Sequence, residues 1–263
     1  MTTPYALLGT FGFVAAGLLG LVVGSFLNVV AHRMPRDESI AFPGSRCPSC
    51  GAAIRAYDNI PLLSWVVLGG RCRACRARIS ARYPALELVN AVLWALVFRV
   101  APGWCDFLTG AFLCSAGLAL LAIDAEFQIL PDLITLPGIA VGLALSFGSV
   151  RRTPLEALGG AALGAAGLWL LAFTYEKIAG QEGMGLGDVK MLGMVGALLG
   201  PTGVLVTLMA ASLSGSVVGI ALIAARRGDA KMKLPFGVFL ALGAIGAWFF
   251  AEPLFARYKA LWT

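Results

Sequence analysis

Two groups of residues in this sequence have the types and spacing to do chemistry: the aspartates at 124 and 188, and the cysteines at 47, 50, 72 and 75. Asp124 lies in LLAIDAEFQILPDLITLP and Asp188 in GMGLGDVKML, both stretches that are otherwise almost continuously apolar. Charge in such a setting is costly unless it faces a wet cavity or a partner, which makes each acid a candidate functional group. Two carboxylates sharing a site hold one proton between them, so the ionised member can draw a proton from water while the protonated one polarises a carbonyl. That is amide hydrolysis without a covalent intermediate, the chemistry of an aspartyl protease. Gly183, Gly185 and Gly187 alternate ahead of Asp188 and permit positive φ, so the backbone there is expected to bend and admit a peptide. A third acid, Asp132 in LPD, is expected to cap the helix that follows it, with a catalytic role as the alternative. Lys190 is expected to extend toward the interface, with tuning of the nearby Asp188 carboxyl as the alternative.

The four cysteines form CPSC at 47–50 and CRAC at 72–75, with 21 residues between the pairs. That spacing suits a four-thiolate zinc site in which each pair forms a knuckle presenting both sulfurs to one metal. Disulfides or redox CxxC motifs are the alternative, but no thioredoxin-like pattern surrounds them. A site closed by four thiolates has no open position for water or substrate, so the zinc is expected to be structural. Cys105 and Cys114 lie nine residues apart on one expected helix, about 13 Å along its axis, and count as small apolar residues.

These groups must be positioned by membrane helices. The chain has 59 % hydrophobic residues, 13 % charged residues and a mean hydropathy of +0.85, far from ordinary soluble usage. The pattern predicts an all-α polytopic membrane protein with about eight crossings, near 6–30, 85–101, 106–123, 133–149, 154–175, 189–200, 202–225 and 235–251. No cleavable signal peptide is expected. Three regions follow: a first transmembrane helix (1–30), a four-cysteine loop (31–84) and a transmembrane core (85–263). The loop carries nine arginines against Asp37, Glu38 and Asp58, which places it in the cytoplasm by the positive-inside rule. Threading the crossings from there puts Asp124 and Asp188 on the same cytoplasmic side, with Lys177, Arg226, Arg227, Lys231 and Lys233; Arg151 and Arg152 fall opposite and dissent. The net charge of +6 is thus an orientation signal, not a nucleic-acid footprint. His32 is the only histidine, and its place at a helix end beside Arg33 suits a structural role; triad hydrolases and HExxH metalloproteases are disfavoured. No βαβ pattern surrounds GMGLGD, so dinucleotide binding is excluded as well.

The stretches GSFLNVVAHRMPR (24–36), CPSCG, GRCRACRARISARYPALE (70–87), IDAEFQILPD (123–132) and GMGLGDVKML together resemble the prepilin peptidase family, the type IV leader peptidases of bacteria. The likeness spans residues 24 to 192 in the family's order. GxGD alone also occurs in presenilin-like intramembrane proteases; in combination with the second Asp before LPD and the cysteine pairs it is specific. The resemblance implies that Asp124 and Asp188 are the catalytic pair and that Cys47, Cys50, Cys72 and Cys75 bind Zn2+. It further implies removal of the basic leader from prepilins and type II pseudopilins after a glycine, at the cytoplasmic face of the bacterial inner membrane. Members with the cysteine loop typically also methylate the new N-terminal residue, commonly phenylalanine, from S-adenosylmethionine. Asn28, Arg33 and Glu87 sit in the matching motifs and are candidates for supporting substrate or methyl transfer, with helix-end hydrogen bonding or Arg–Glu pairing as their plain alternative.

Two other classes stay open on sequence: a peptidase without methyltransferase activity, and a transporter or proton relay, which should place its acids near the midplane and often shows two similar halves.

Overall fold

The computed structural model describes residues 3–180, 184–225 and 234–260, and among them the regular elements are helical, with two isolated antiparallel bridges, Arg46 to Ala53 and Arg71 to Arg78. The expected Gly183 and the basic residues at 226, 227, 231 and 233 lie outside the described residues. The chain forms two compact units, Met1–Gly103 and Trp104–Thr263.

The first unit pairs α1 (Pro4–Arg33) with α3 (Arg82–Val100), and the loop between them holds the short α2 (Leu63–Val67). Thr3 caps α1 by accepting the Ala6 N–H at 3.0 Å, and Pro4 supplies the preset φ of a first helical residue. Gly12, Ala16, Gly20 and Gly24 repeat every four residues and are all buried, so they form one small-residue stripe. That stripe lets the α3 backbone approach: a Cβ on Gly20 would sit 2.8 Å from the Ala91 Cα, and one on Gly24 equally close to the Glu87 Cα. Asn90, fully buried, fixes the register by donating to the Gly20 carbonyl at 2.8 Å. Gly20→Ala should therefore force the helices apart and cost about 1–2 kcal/mol, read as a lowered thermal midpoint in detergent.

The second unit contains α4 (Trp104–Phe127), α5 (Asp132–Ser146), α6 (Pro154–Ala179), α7 (Leu186–Ala224) and α8 (Phe236–Ala260). The first arm of α7 is its centre, with Met191, Met194, Val195, Ala197 and Leu198 fully buried. Glycines again permit the packing: Gly160 on α6 and Gly196 on α7 each face the other's carbonyl where a Cβ would have to go, and Gly142 on α5 does the same against Ala197. The arm ends at Gly200, φ 73°, followed by Pro201, which lacks the N–H to continue the ladder. The expected segments 189–200 and 202–225 are thus two arms of one kinked helix. Among the described residues, six helices, α1, α3, α4, α6, α7 and α8, are long and apolar enough to cross a membrane, and α5 is shorter at 15 residues. The protein is a multi-pass, all-α membrane protein.

Arg151 and Arg152 do not dissent as free charges. Asp106, at the start of α4, accepts the Ser149 hydroxyl and the Val150 N–H at 3.0 Å. Arg152 is buried and donates to the Thr109 hydroxyl, while Arg151 lies over the Trp248 ring, donates to its carbonyl and reaches Glu252 at 3.5 Å. Charges neutralised inside the fold weigh little in the loop asymmetry that sets orientation.

Candidate active site and metal centre

Asp124 sits in the last turn of α4 at 5 % exposure. Its Oδ2 accepts the Val238 N–H at 2.9 Å, and a Cβ on Gly237 would lie 2.8 Å from the same oxygen. The N-terminus of α8 thus presents its free amides and positive end to this carboxylate. Asp188 occupies the first turn of α7, after Gly185 at the cap position, and its N–H bonds the Gly185 carbonyl at 3.2 Å. Leu130 touches the starts of both α7 and α8, with its side chain 3.0 Å from where a Gly187 Cβ would be and 2.9 Å from where a Gly237 Cβ would be. The carboxylates are near enough for their charges to interact. Within the second unit, then, the end of α4 and the starts of α7 and α8 converge around one leucine.

The glycines work differently from the expectation. Gly185 has φ −79°, and Gly187 is not among the positive-φ residues, so neither uses the left-handed region. Gly187 is needed because Leu130 packs against its bare Cα. Asp132 is likewise not a cap: Pro131 holds the cap position and Asp132 is the first residue of α5. Its two oxygens accept from Lys190 Nζ at 2.8 and 2.7 Å, so Lys190 ties α5 to α7 instead of extending alone to the interface. Both side chains are partly exposed, which limits the pair to at most about 1 kcal/mol. The contribution of Gly237 and Val238 was missed from sequence; Pro235 just before Phe236 marks a helix start, but nothing local tells which acid that start would meet.

The four cysteine sulfurs lie within 4.8 Å of one another, and those of Cys47 and Cys75 are 3.8 Å apart. Tetrahedral thiolates at about 2.3 Å from a central zinc have sulfur separations of about 3.8 Å, so the cage fits such a metal. Both knuckles share one geometry. Cys47 N–H bonds the Ala52 carbonyl and Cys72 N–H the Ala77 carbonyl, each at 2.9 Å, while Gly51 and Arg76 N–H return to the Cys47 and Cys72 carbonyls. The Cys50 and Ser49 backbone N–H groups pull the Cys47 thiol down to about 6, ready to ligate as thiolate. Gly51 and Arg76 fill equivalent positions at φ 71° and 61°, so Arg76 carries the strain that glycine avoids. Arg76→Gly should stabilise the second knuckle by about 0.5–1 kcal/mol, measured as slower metal release to a chelator. Cys114 is buried and Cys105 packs on Gly148, as befits small apolar side chains.

The remaining candidates organise the first unit. Asn28 Nδ2 donates to the Gly24 carbonyl and, at 3.2 Å, to the Tyr83 carbonyl. Arg33 donates to the Ser39 and Gly44 carbonyls, and Glu87 accepts the Leu62 N–H at 2.8 Å. Arg33 and Glu87 thus hold loop backbone and not each other. His32 meets Arg36 one turn on, through its ring and its carbonyl, as a structural residue would.

Two family models match the chain: the bacterial peptidase A24 N-terminal domain over residues 18–100 and the type IV leader peptidase family over residues 111–220. Among curated relatives, a prepilin leader peptidase/N-methyltransferase of Burkholderia pseudomallei is 38% identical, covering 90% of this chain and 85% of the relative. Proteins of the same name from Pseudomonas aeruginosa and Aeromonas hydrophila are 36% and 39% identical, each over 86% of both chains. No solved structure gives a significant match.

Proposed function

Because the chain belongs to the type IV leader peptidase family, we propose that it cleaves the basic leader from prepilins and type II pseudopilins after a glycine and then N-methylates the new N-terminal residue, commonly phenylalanine. The observation that carries the peptidase reading is the convergence of Asp124 and Asp188 around Leu130 at one end of the second unit. One carboxylate takes a proton from water as that water attacks the scissile carbonyl, and the other, protonated, polarises the carbonyl oxygen. The proton then passes to the leaving amine. The α8 amides hold the Asp124 oxygen in place during this exchange, which keeps the pair oriented without a covalent intermediate. Gly185 is exposed beside Asp188 and leaves room for a peptide backbone.

The substrate's apolar N-terminal helix enters from the bilayer, and its leader stays at the interface where the aspartates stand. The site faces the cytoplasm of the bacterial inner membrane in this reading, because the arginine-rich loop 31–84 marks that side. The metal in the cysteine cage is structural Zn2+, which staples a loop with little core of its own. S-adenosylmethionine, when bound, supplies the methyl carbon to the freed amine, which loses a proton to water as the donor leaves as a neutral thioether.

The test is incubation of the purified protein in detergent with a synthetic prepilin and methyl-labelled S-adenosylmethionine. Both a shortened product and label on its N-terminus are expected. Cleavage without label would leave a peptidase alone, and no cleavage would overturn the reading.

A further inference from the structure

The connection from α4 to α5 is short, and its backbone is fixed at both ends. Gln128 closes α4 by returning its N–H to the Asp124 carbonyl at 3.0 Å, and it does so at φ 54°, in the left-handed region that residues with a side chain seldom adopt. Pro131 follows at φ −62°, and the residue before a proline is confined to extended backbone. Beyond it, Lys190 holds Asp132 to α7. Leu130 therefore has little freedom of direction. A non-glycine residue stays in the left-handed region where its surroundings over-determine it, and here that turn delivers the half-buried Leu130 side chain to the aspartate site.

Where the leucine lands decides its use. A Cβ on Gly237 would lie 2.8 Å from Asp124 Oδ2 and 2.9 Å from a Leu130 δ-methyl, so that methyl stands within a side chain's width of the carboxylate. The Leu130 Cβ lies 3.0 Å from the corresponding point on Gly187, the residue before Asp188. A single leucine thus fills the space that two bare glycines leave beside the pair. Gly185 differs, because a Cβ there would meet nothing closer than Asp188 Oδ2 at 3.8 Å, and the residue is exposed. A peptide has room beside Gly185 and little beside Leu130.

In amide hydrolysis the carbon under attack belongs to the residue before the scissile bond. That residue's Cβ lies about 2.5 Å from the reacting carbon, closer than the side chain of any other substrate residue. A rigid wedge next to the Asp124 carboxylate therefore acts first on that residue. We infer that Leu130 is the specificity-determining residue that restricts the position before the scissile bond to glycine, by occupying the space a substrate Cβ would need. The inference rests on the peptidase reading above and adds to it the residue that enforces the preference. The rival cause of a glycine preference is backbone freedom, which a change at Leu130 would leave untouched.

The test gives the purified protein, in detergent, synthetic prepilins with glycine, alanine or valine before the scissile bond and compares kcat/KM within each preparation. A ratio between substrates does not depend on how much of a variant is folded. A crowded pocket discriminates a single carbon by about 10- to 200-fold, so the wild type is expected to cut the valine substrate at least about 100-fold more slowly than the glycine one, with alanine between. Leu130→Ala removes as many carbons as a valine side chain carries and should shrink the glycine-to-valine ratio at least about tenfold, with Leu130→Val intermediate. Exchanging the phenylalanine after the bond for alanine should have the same effect on wild type and Leu130→Ala to within about threefold, since that side chain starts farther from the wedge. An unchanged glycine-to-valine ratio in Leu130→Ala would mean that glycine is required for its backbone, and overturns the inference. So does a wild type that cuts valine as fast as glycine, or a variant relaxed equally on both sides of the bond. Failure of the wild type to cut even the glycine substrate overturns the peptidase reading itself.

Discussion

Asp188→Asn and Asp124→Asn are each expected to slow cleavage of a synthetic prepilin by about 1,000-fold in single turnover, with prepilin binding little changed. Asparagine keeps the shape of the carboxylate and, at 124, an oxygen to accept the Val238 N–H. What it loses is the capacity to take or hold a proton, and proton transfer by a positioned group is worth about 100- to 10,000-fold. Because the pair acts as a unit, the double variant should be no slower than either single one by more than about tenfold, far short of the product of the two effects. The third acid provides the contrast. Asp132 is exposed and carries the Lys190 ammonium on both oxygens, so Asp132→Asn removes a pair worth at most about 1 kcal/mol and should cost no more than about fivefold. If Asp132→Asn abolished cleavage while Asp124→Asn did not, the dyad would have to be reassigned to the starts of α5 and α7.

What the sequence told in advance follows the range of the interactions involved. The cysteine cage was legible because each knuckle is a local turn with its bonds inside seven residues, Cys47 to Ala53 and Cys72 to Arg78, and the repeat of the motif announces that the two meet. The helices were legible from apolar length, and even the break at Gly200 and Pro201 was visible, although as a gap between two helices and not as a bend in one. Asp124 and Asp188 stood out because charge in apolar sequence is costly. Their surroundings did not. Val238 lies 114 residues beyond Asp124, and Lys190 lies 58 beyond Asp132, so only the fold pairs them. The same holds for Gly187: its value is a contact with Leu130, whereas sequence suggests the left-handed backbone that glycine more often serves. The stripe at 12, 16, 20 and 24 shows the intermediate case, since its period marks a packing face but cannot say that Asn90 of α3 will lock onto it.

Removing the zinc, by chelation or by Cys47→Ser with Cys72→Ser, is expected to unfold residues 38–81 while α1 and α3 stay paired. Among residues 41–80 only Cys47, Ser64 and Gly70 are buried, and the one α-helix there has five residues. So little apolar burial cannot offset the ordering of some forty residues at about 1–2 kcal/mol each. A structural zinc contributes about 10–16 kcal/mol in comparable thiolate sites, so its loss removes the strongest single interaction that orders this loop. Elemental analysis should find stoichiometric zinc in the folded protein, and hydrogen–deuterium exchange after chelation should lose protection across the loop only. Amides of α1 and α3 should remain protected, because the glycine stripe and the Asn90 bond owe nothing to the metal. Leader cleavage, built from residues of Trp104–Thr263, should persist far better than methyl transfer. Retained loop protection after complete zinc removal would mean that the thiolates merely adjoin one another, and the ordering of the loop would then have to come from the Arg33, Glu87 and Arg73 contacts instead.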